Sequence, residues 1–201
     1  LTIHGKERYL YQTGSFAPDG YKSSFRPLRK AGEMDGPDIA ILPLDNSFKQ
    51  IHLARKEKAP IDLDTWAEPN WSDLTAPVAF GYPTEHKTDT EEFLQAPLAA
   101  VVAELTSPIS PSNESFLMAS SLPFENSFYF SGMSGGAVYA VSESDPQLTL
   151  VGIVFEGSPG SSQEWELRGE ESFLTKSDIQ IRAHTLTPNI FDRWLDLAGL
   201  K

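Results

Sequence analysis

Ser134 lies within Ser131-Gly132-Met133-Ser134-Gly135-Gly136-Ala137-Val138, a turn of small residues that runs straight into a strand over 137–141. Glycines at 132, 135 and 136 permit a tight loop that residues with a Cβ resist. Such a loop can aim two backbone N–H groups at one point beside the serine hydroxyl. Acyl transfer uses that arrangement: a nucleophile next to an oxyanion hole. The same residues also suit a glycine-rich hairpin turn with an exposed serine. A serine hydroxyl becomes nucleophilic only with a base in hydrogen-bond reach, and a third group must orient that base. Asp38 is the candidate for the third role, because it stands at the mouth of the apolar run over 39–44. Asp35 is a rival, separated from the run by Gly36-Pro37, and Asp38 could instead cap the turn before a strand. Four histidines are available as the base: His4, His52, His86 and His184.

The elements that must hold these groups are short. Alternating or continuous apolar runs bounded by turn residues predict strands over 1–4, 8–12, 39–44, 49–54, 77–83, 97–105, 115–120, 137–141, 148–155 and 178–184. Fifteen prolines and fourteen glycines punctuate them. One helix is expected at the C-terminal end. Thr187 is its cap, Pro188 occupies its first turn, and Gly199 stops it. Ile190, Phe191, Trp194, Leu195 and Leu197 give it an apolar face. The expected class is therefore all-β with a terminal helix. A sandwich and a jelly roll are the alternatives at this level.

Composition narrows the function. In 201 residues, 40% hydrophobic and 22% charged, one or two ordinary globular domains fit. There is no cysteine, which rules out a disulfide scaffold, a cysteine-based zinc site and a thiol nucleophile, and permits the cytoplasm. No metal site and no cofactor is expected. The formal charge of −12 comes without a long basic run, which disfavours nucleic acid as a partner. No apolar stretch approaches the ~20 residues of a membrane span.

Four stretches in this order then point one way. Asp38-Ile39-Ala40-Ile41-Leu42 resembles the aspartate strand of trypsin-like serine proteases. Val78-Ala79-Phe80-Gly81-Tyr82-Pro83 is similar to a strand end of their cysteine-free bacterial members. Gly132-Met133-Ser134-Gly135-Gly136 resembles their Gly-X-Ser-Gly-Gly nucleophile loop, and Leu150-Val151-Gly152-Ile153-Val154 the strand that follows it and lines the cleft. The resemblance spans nearly the whole chain. It implies two antiparallel six-stranded β-barrels with the site between them, here a remainder of the N-terminal barrel over 1–75 and a C-terminal barrel with the terminal helix over 76–201. It implies Ser134 as nucleophile, Asp38 as the group orienting a histidine, and the N–H groups of Gly132 and Ser134 as the oxyanion hole. Substrate-pocket positions would be Phe128 and Tyr129 at the floor and Phe155, Glu156 and Gly157 at the walls. Aromatic residues there suggest an apolar pocket, and Glu156 could instead attract a basic side chain. Met133 departs from the acidic residue common in secreted trypsins, so activation through a buried new N-terminus is not expected.

The resemblance also implies the order histidine, aspartate, serine. His52, His86 and His184 follow Asp38, and only His4 precedes it. His4 stands where the family has the strand pair after its histidine. The catalytic histidine is therefore expected upstream of Leu1, with the first strands of the N-terminal barrel. A barrel lacking strands leaves unpaired edges, so an N-terminal fragment or partner chain is expected to complete it. The implied function is a serine endopeptidase acting on polypeptide, or its larger fragment. The alternative is a catalytically inactive protease-like domain that binds peptide or a partner protein.

Overall fold

The computed structural model describes residues 2–4, 7–8, 26–29, 36–41, 43, 66, 68–83, 87–89, 94–106, 109–121, 132–142, 144, 147–158 and 178–200. The chain divides into two units. The first comprises Leu1–Ala67, Asp89–Leu94 and Phe191–Lys201, and the second Glu68–Thr88 and Gln95–Ile190.

In the first unit β1 (Thr2–His4) pairs antiparallel with β2 (Glu7–Arg8), and β3 (Arg26–Pro27) with β4 (Ala40–Ile41). The run over 39–44 was expected to be a buried strand. Its described strand is only two residues long, and Ala40 is exposed. Pro27 pairs with Ala40, and Pro37 and Pro43 stand on either side of the strand. A proline contributes no N–H to a ladder, which keeps this pairing short. The strand expected over 49–54 lies outside the described residues.

The second unit holds the main sheet's strands: β5 (Leu74–Gly81), β8 (Ala99–Val102), β9 (Glu104–Leu105), β10 (Ser115–Ser121), β11 (Ala137–Ser142), β12 (Leu148–Ser158) and β13 (Asp178–Thr185). A further two-residue pair joins β6 (Thr88–Asp89) and β7 (Leu94–Gln95). Those seven strands form one antiparallel sheet in the order β8-β5-β11-β12-β13-β10-β9. Its two ends, β8 and β9, are one stretch of chain interrupted at Ala103. The first half bonds to β5 and the second to β10, so the sheet curls back on itself as a nearly closed barrel.

Period-two alternation fills the inside. Ile179, Ile181, Ala183 and Thr185 of β13, Phe116 and Met118 of β10, and Val138 and Ala140 of β11 are buried. Small residues make room for large ones. A Cβ on Gly152 would meet the Phe116 ring at 2.8 Å and the His184 carbonyl oxygen at 2.7 Å, so glycine admits the ring. Fully burying a side chain such as Met118, Ile181 or Val138 stabilises by roughly 1.5–3 kcal/mol.

β5 starts three residues before the expected Pro77 and tolerates that proline through a bulge. Tyr139 faces Val78 and Val141 faces Thr75, so two residues of β5 stand opposite Ala140, and Ala76 takes a positive φ of 43°. At the strand's start, Asp73 accepts hydrogen bonds from the hydroxyls of Ser142 and Ser144, each 2.5 Å, which fastens it to the end of β11.

The terminal helix α1 (Pro188–Leu197) begins and ends as expected. The Ile190 N–H donates to Thr187 Oγ1 at 3.0 Å. At the other end Leu200 N–H reaches the Leu195 carbonyl and Gly199 N–H the Asp196 carbonyl, with Gly199 at φ +64°. The Arg26 guanidinium then caps the carbonyls of Ala198 and Gly199, 3.0 Å each. Ile190, Trp194 and Ala198 make its buried stripe. Among the described residues, no helix is long and apolar enough to cross a membrane.

Candidate functional site

The serine turn is built by contacts on three sides. Gly136 N–H donates to the Met133 carbonyl at 2.9 Å and closes a four-residue turn, Met133-Ser134-Gly135-Gly136. Its third residue, Gly135, has φ +83°, the sign that a type II turn demands at that position. Gly135 N–H donates to the Val154 carbonyl and Val154 N–H to the Gly136 carbonyl, both at 2.8 Å, which ties the turn to β12. Gly136 packs so closely on β5 that a Cβ there would overlap the Phe80 carbonyl oxygen.

Met133 supplies the third side. Its side chain is buried, and a Cβ on Gly81 would come within 2.9 Å of its Cα and Cβ. Met133 thus serves as an apolar anchor for the turn. With 133 and 136 facing inward, Ser134 and Gly135 remain exposed. The Ser134 hydroxyl donates to the Phe155 carbonyl at 3.0 Å. The structure therefore brings together Ser134 and one of the expected pocket walls, Phe155, through a direct bond.

The next of the expected pocket positions carries an ion pair. Glu156 faces Arg182 across β12 and β13, with its carboxylate 3.5 Å from the guanidinium. Both side chains are partly buried. Gly157 follows at half-burial opposite Ile181. Gly132, the other expected oxyanion-hole residue, is exposed at φ +89° at the start of the turn. Phe128 and Tyr129 lie outside the described residues.

Asp38 belongs to the first unit and Ser134 to the second. Asp38 is 66% exposed and pairs with Arg29 at 3.1 Å, beside the β3–β4 ladder. His52 and His86 lie outside the described residues, as does the His4 side chain. His184 was set aside by its place in the sequence. The structure puts its ring 4.3 Å, centroid to centroid, from that of Phe155, the residue whose carbonyl receives the Ser134 hydroxyl. No sequence signal marks that contact, because it depends on the register of β13 against β12, where His184 faces Ile153.

Among the described residues no three or more His, Asp or Glu side chains stand close enough together to hold a metal ion. No protein-family model, no curated protein and no solved structure matches the chain.

Proposed function

We propose that the chain is a trypsin-like serine endopeptidase, or the larger part of one, hydrolysing peptide bonds through an acyl-enzyme at Ser134. One observation carries the reading: an exposed serine on a glycine turn, anchored by Met133 and Gly136, with its hydroxyl bonded to the backbone carbonyl of Phe155. In this reading the nearly closed sheet is the second of two six-stranded barrels, with β8 and β9 counted as one bent strand. The Ser134 Oγ attacks the scissile carbonyl carbon and passes its proton to a histidine base. The N–H groups of Gly132 and Ser134 receive the developing oxyanion. The leaving amine takes the proton back, and water then hydrolyses the ester. Asp38 holds the histidine's tautomer.

A second reading has its own support. Asp38 is two-thirds exposed and already paired with Arg29, which suits a protease-like domain that binds peptide without cleaving it. One experiment separates the two. The native protein is treated with a fluorophosphonate probe, and labelling is read by intact mass and peptide mapping. The endopeptidase reading expects one adduct on Ser134, abolished in Ser134→Ala. It also expects casein hydrolysis to fall by about 10⁴-fold or more in that variant. Absence of labelling in the native protein overturns it in favour of the binding domain.

A further inference from the structure

The serine turn lies between two strands, β12 and β5. On the β12 flank stand the expected pocket walls, 155–157, with the Phe155 carbonyl bonded to the Ser134 hydroxyl. On the β5 flank Gly136 packs on the Phe80 carbonyl, and Met133 on Gly81. Burial alternates along this end of β5 and just past it. Ala79, Gly81 and Pro83 are buried, Phe80 is half-buried, and Tyr82 is 37% exposed. Residues 80 and 82 therefore look outward while their neighbours fill the core.

Tyr82 is held through its backbone and uncommitted through its side chain. Gly81 and Pro83, both buried, fix it on either side. Among the described residues its hydroxyl makes no hydrogen bond and its ring no ring contact. The Phe80 ring on the same face is already engaged, edge-on to Tyr139 at 5.9 Å between centroids. Strand β8 extends this face: Ala100 stands opposite Phe80, and both Leu98 and Ala100 are exposed. Neither 77–83 nor 96–103 contains a charged residue. A large apolar side chain gains from such a surface, and an aromatic one most, since it can stack on the phenol. A charged side chain would lose water there and find no partner of opposite sign. The surface is also close to the serine. A Cβ on Gly81 would lie 2.9 Å from the Met133 Cα, and Tyr82 and Ser134 are each one residue further on. With ~3.8 Å between successive Cα atoms, their own lie within roughly 12 Å, about three residues of extended peptide.

We propose that Tyr82 sets substrate preference on the leaving-group side of the scissile bond. It favours a large apolar residue, above all an aromatic one, at one of the first three positions after that bond. The inference rests on the endopeptidase reading. That reading puts the acyl half of the substrate against 155–157, which leaves the β5 flank to the other half.

The native protein is used to digest unfolded casein, and the cleaved bonds are mapped by mass spectrometry. Residues at the first three positions after each bond are counted against their abundance in casein. At one of these positions phenylalanine, tyrosine and leucine should be enriched about fivefold over alanine. Tyr82→Phe should keep that enrichment, and Tyr82→Ala should reduce it to twofold or less. Tyr82→Glu should replace it with enrichment of lysine and arginine at the same position. Enrichment is a ratio within one digest, so a general loss of activity or stability does not imitate it. No enrichment at any of the three positions, or the same enrichment in Tyr82→Ala, overturns the proposal while the endopeptidase reading stands. A native protein that neither cleaves casein nor takes the fluorophosphonate label overturns that reading, and this inference with it.

Discussion

The two adjacent glycines of the serine turn are glycine for different reasons, and substitution separates them. At Gly135 a Cβ meets nothing within 4 Å, so Gly135→Ala suffers only from its φ of +83°. An L-residue held in the left-handed region costs roughly 1–2 kcal/mol. Removing glycine's freedom from the unfolded chain returns about 0.4–1 kcal/mol, leaving a net loss near 1 kcal/mol. At Gly136 the obstacle is backbone: the Phe80 carbonyl lies where the Cβ would go, and the Met133 carbonyl oxygen is 2.8 Å from it. Relief requires moving the turn off β5. That breaks the Gly136 N–H to Met133 bond and the Val154 N–H to Gly136 bond. Each lost bond costs about 1 kcal/mol, and more where the group stays buried, and the Met133 anchor loosens with them. Gly136→Ala should therefore lose at least ~3 kcal/mol. Urea unfolding followed by far-UV circular dichroism measures both variants. An asparagine at 135 tolerates positive φ and should recover part of the alanine loss. If Gly136→Ala unfolds within 1 kcal/mol of wild type, or Gly135→Ala is the worse of the two, this account of the turn is wrong.

Two buried threonines give further tests of opposite sign. Thr185 is fully buried and its hydroxyl has no hydrogen-bond partner among the described residues, so Thr185→Val, nearly isosteric, should stabilise by about 1 kcal/mol in the same urea titration. Thr187 is as deeply buried but accepts the Ile190 N–H at the helix start. Thr187→Ala should cost about 1 kcal/mol, and Thr187→Ser should restore most of it.

Where local chemistry decides structure, the chain could be read directly. The helix boundaries follow from Thr187, Pro188 and Gly199, and the structure realises all three. The strands around 115–121, 137–142 and 178–185 follow from alternation, since only one face enters the core. The bend at Ala103 was not legible. Residues 97–105 read as one apolar strand, and nothing in their types says that half pairs with β5 and half with β10. That choice belongs to the partners' edges. The start of β5 was missed for a related reason. Pro77 argues against a strand interior, yet a bulge at Ala76 absorbs it, and Thr75 pins the far side to the Val141 carbonyl. Within the site, the serine turn was legible from its glycines. The contact between Phe155 and His184 was not, because residues 29 positions apart meet only through register.

The turn's construction bears on what Ser134 is for. A loop that merely reverses the chain between strands needs a glycine at positive φ and little else. This one buries Met133 against Gly81, presses Gly136 onto the Phe80 backbone, and exchanges two 2.8 Å bonds with Val154. All of these restraints fall on the residues flanking Ser134. The serine side chain contributes a single exposed hydrogen bond, worth on the order of 1 kcal/mol or less, so the packing does not need a hydroxyl there. Close-packed surroundings around an exposed hydroxyl fix where its oxygen points before any partner arrives, and preorganisation of that kind is what a reacting or recognising group requires. The turn thus accounts for the position of the hydroxyl, while nucleophilic reactivity would depend on a base in hydrogen-bond reach. That is why labelling of the native protein decides between cleavage and binding, and why stability measurements on the turn cannot.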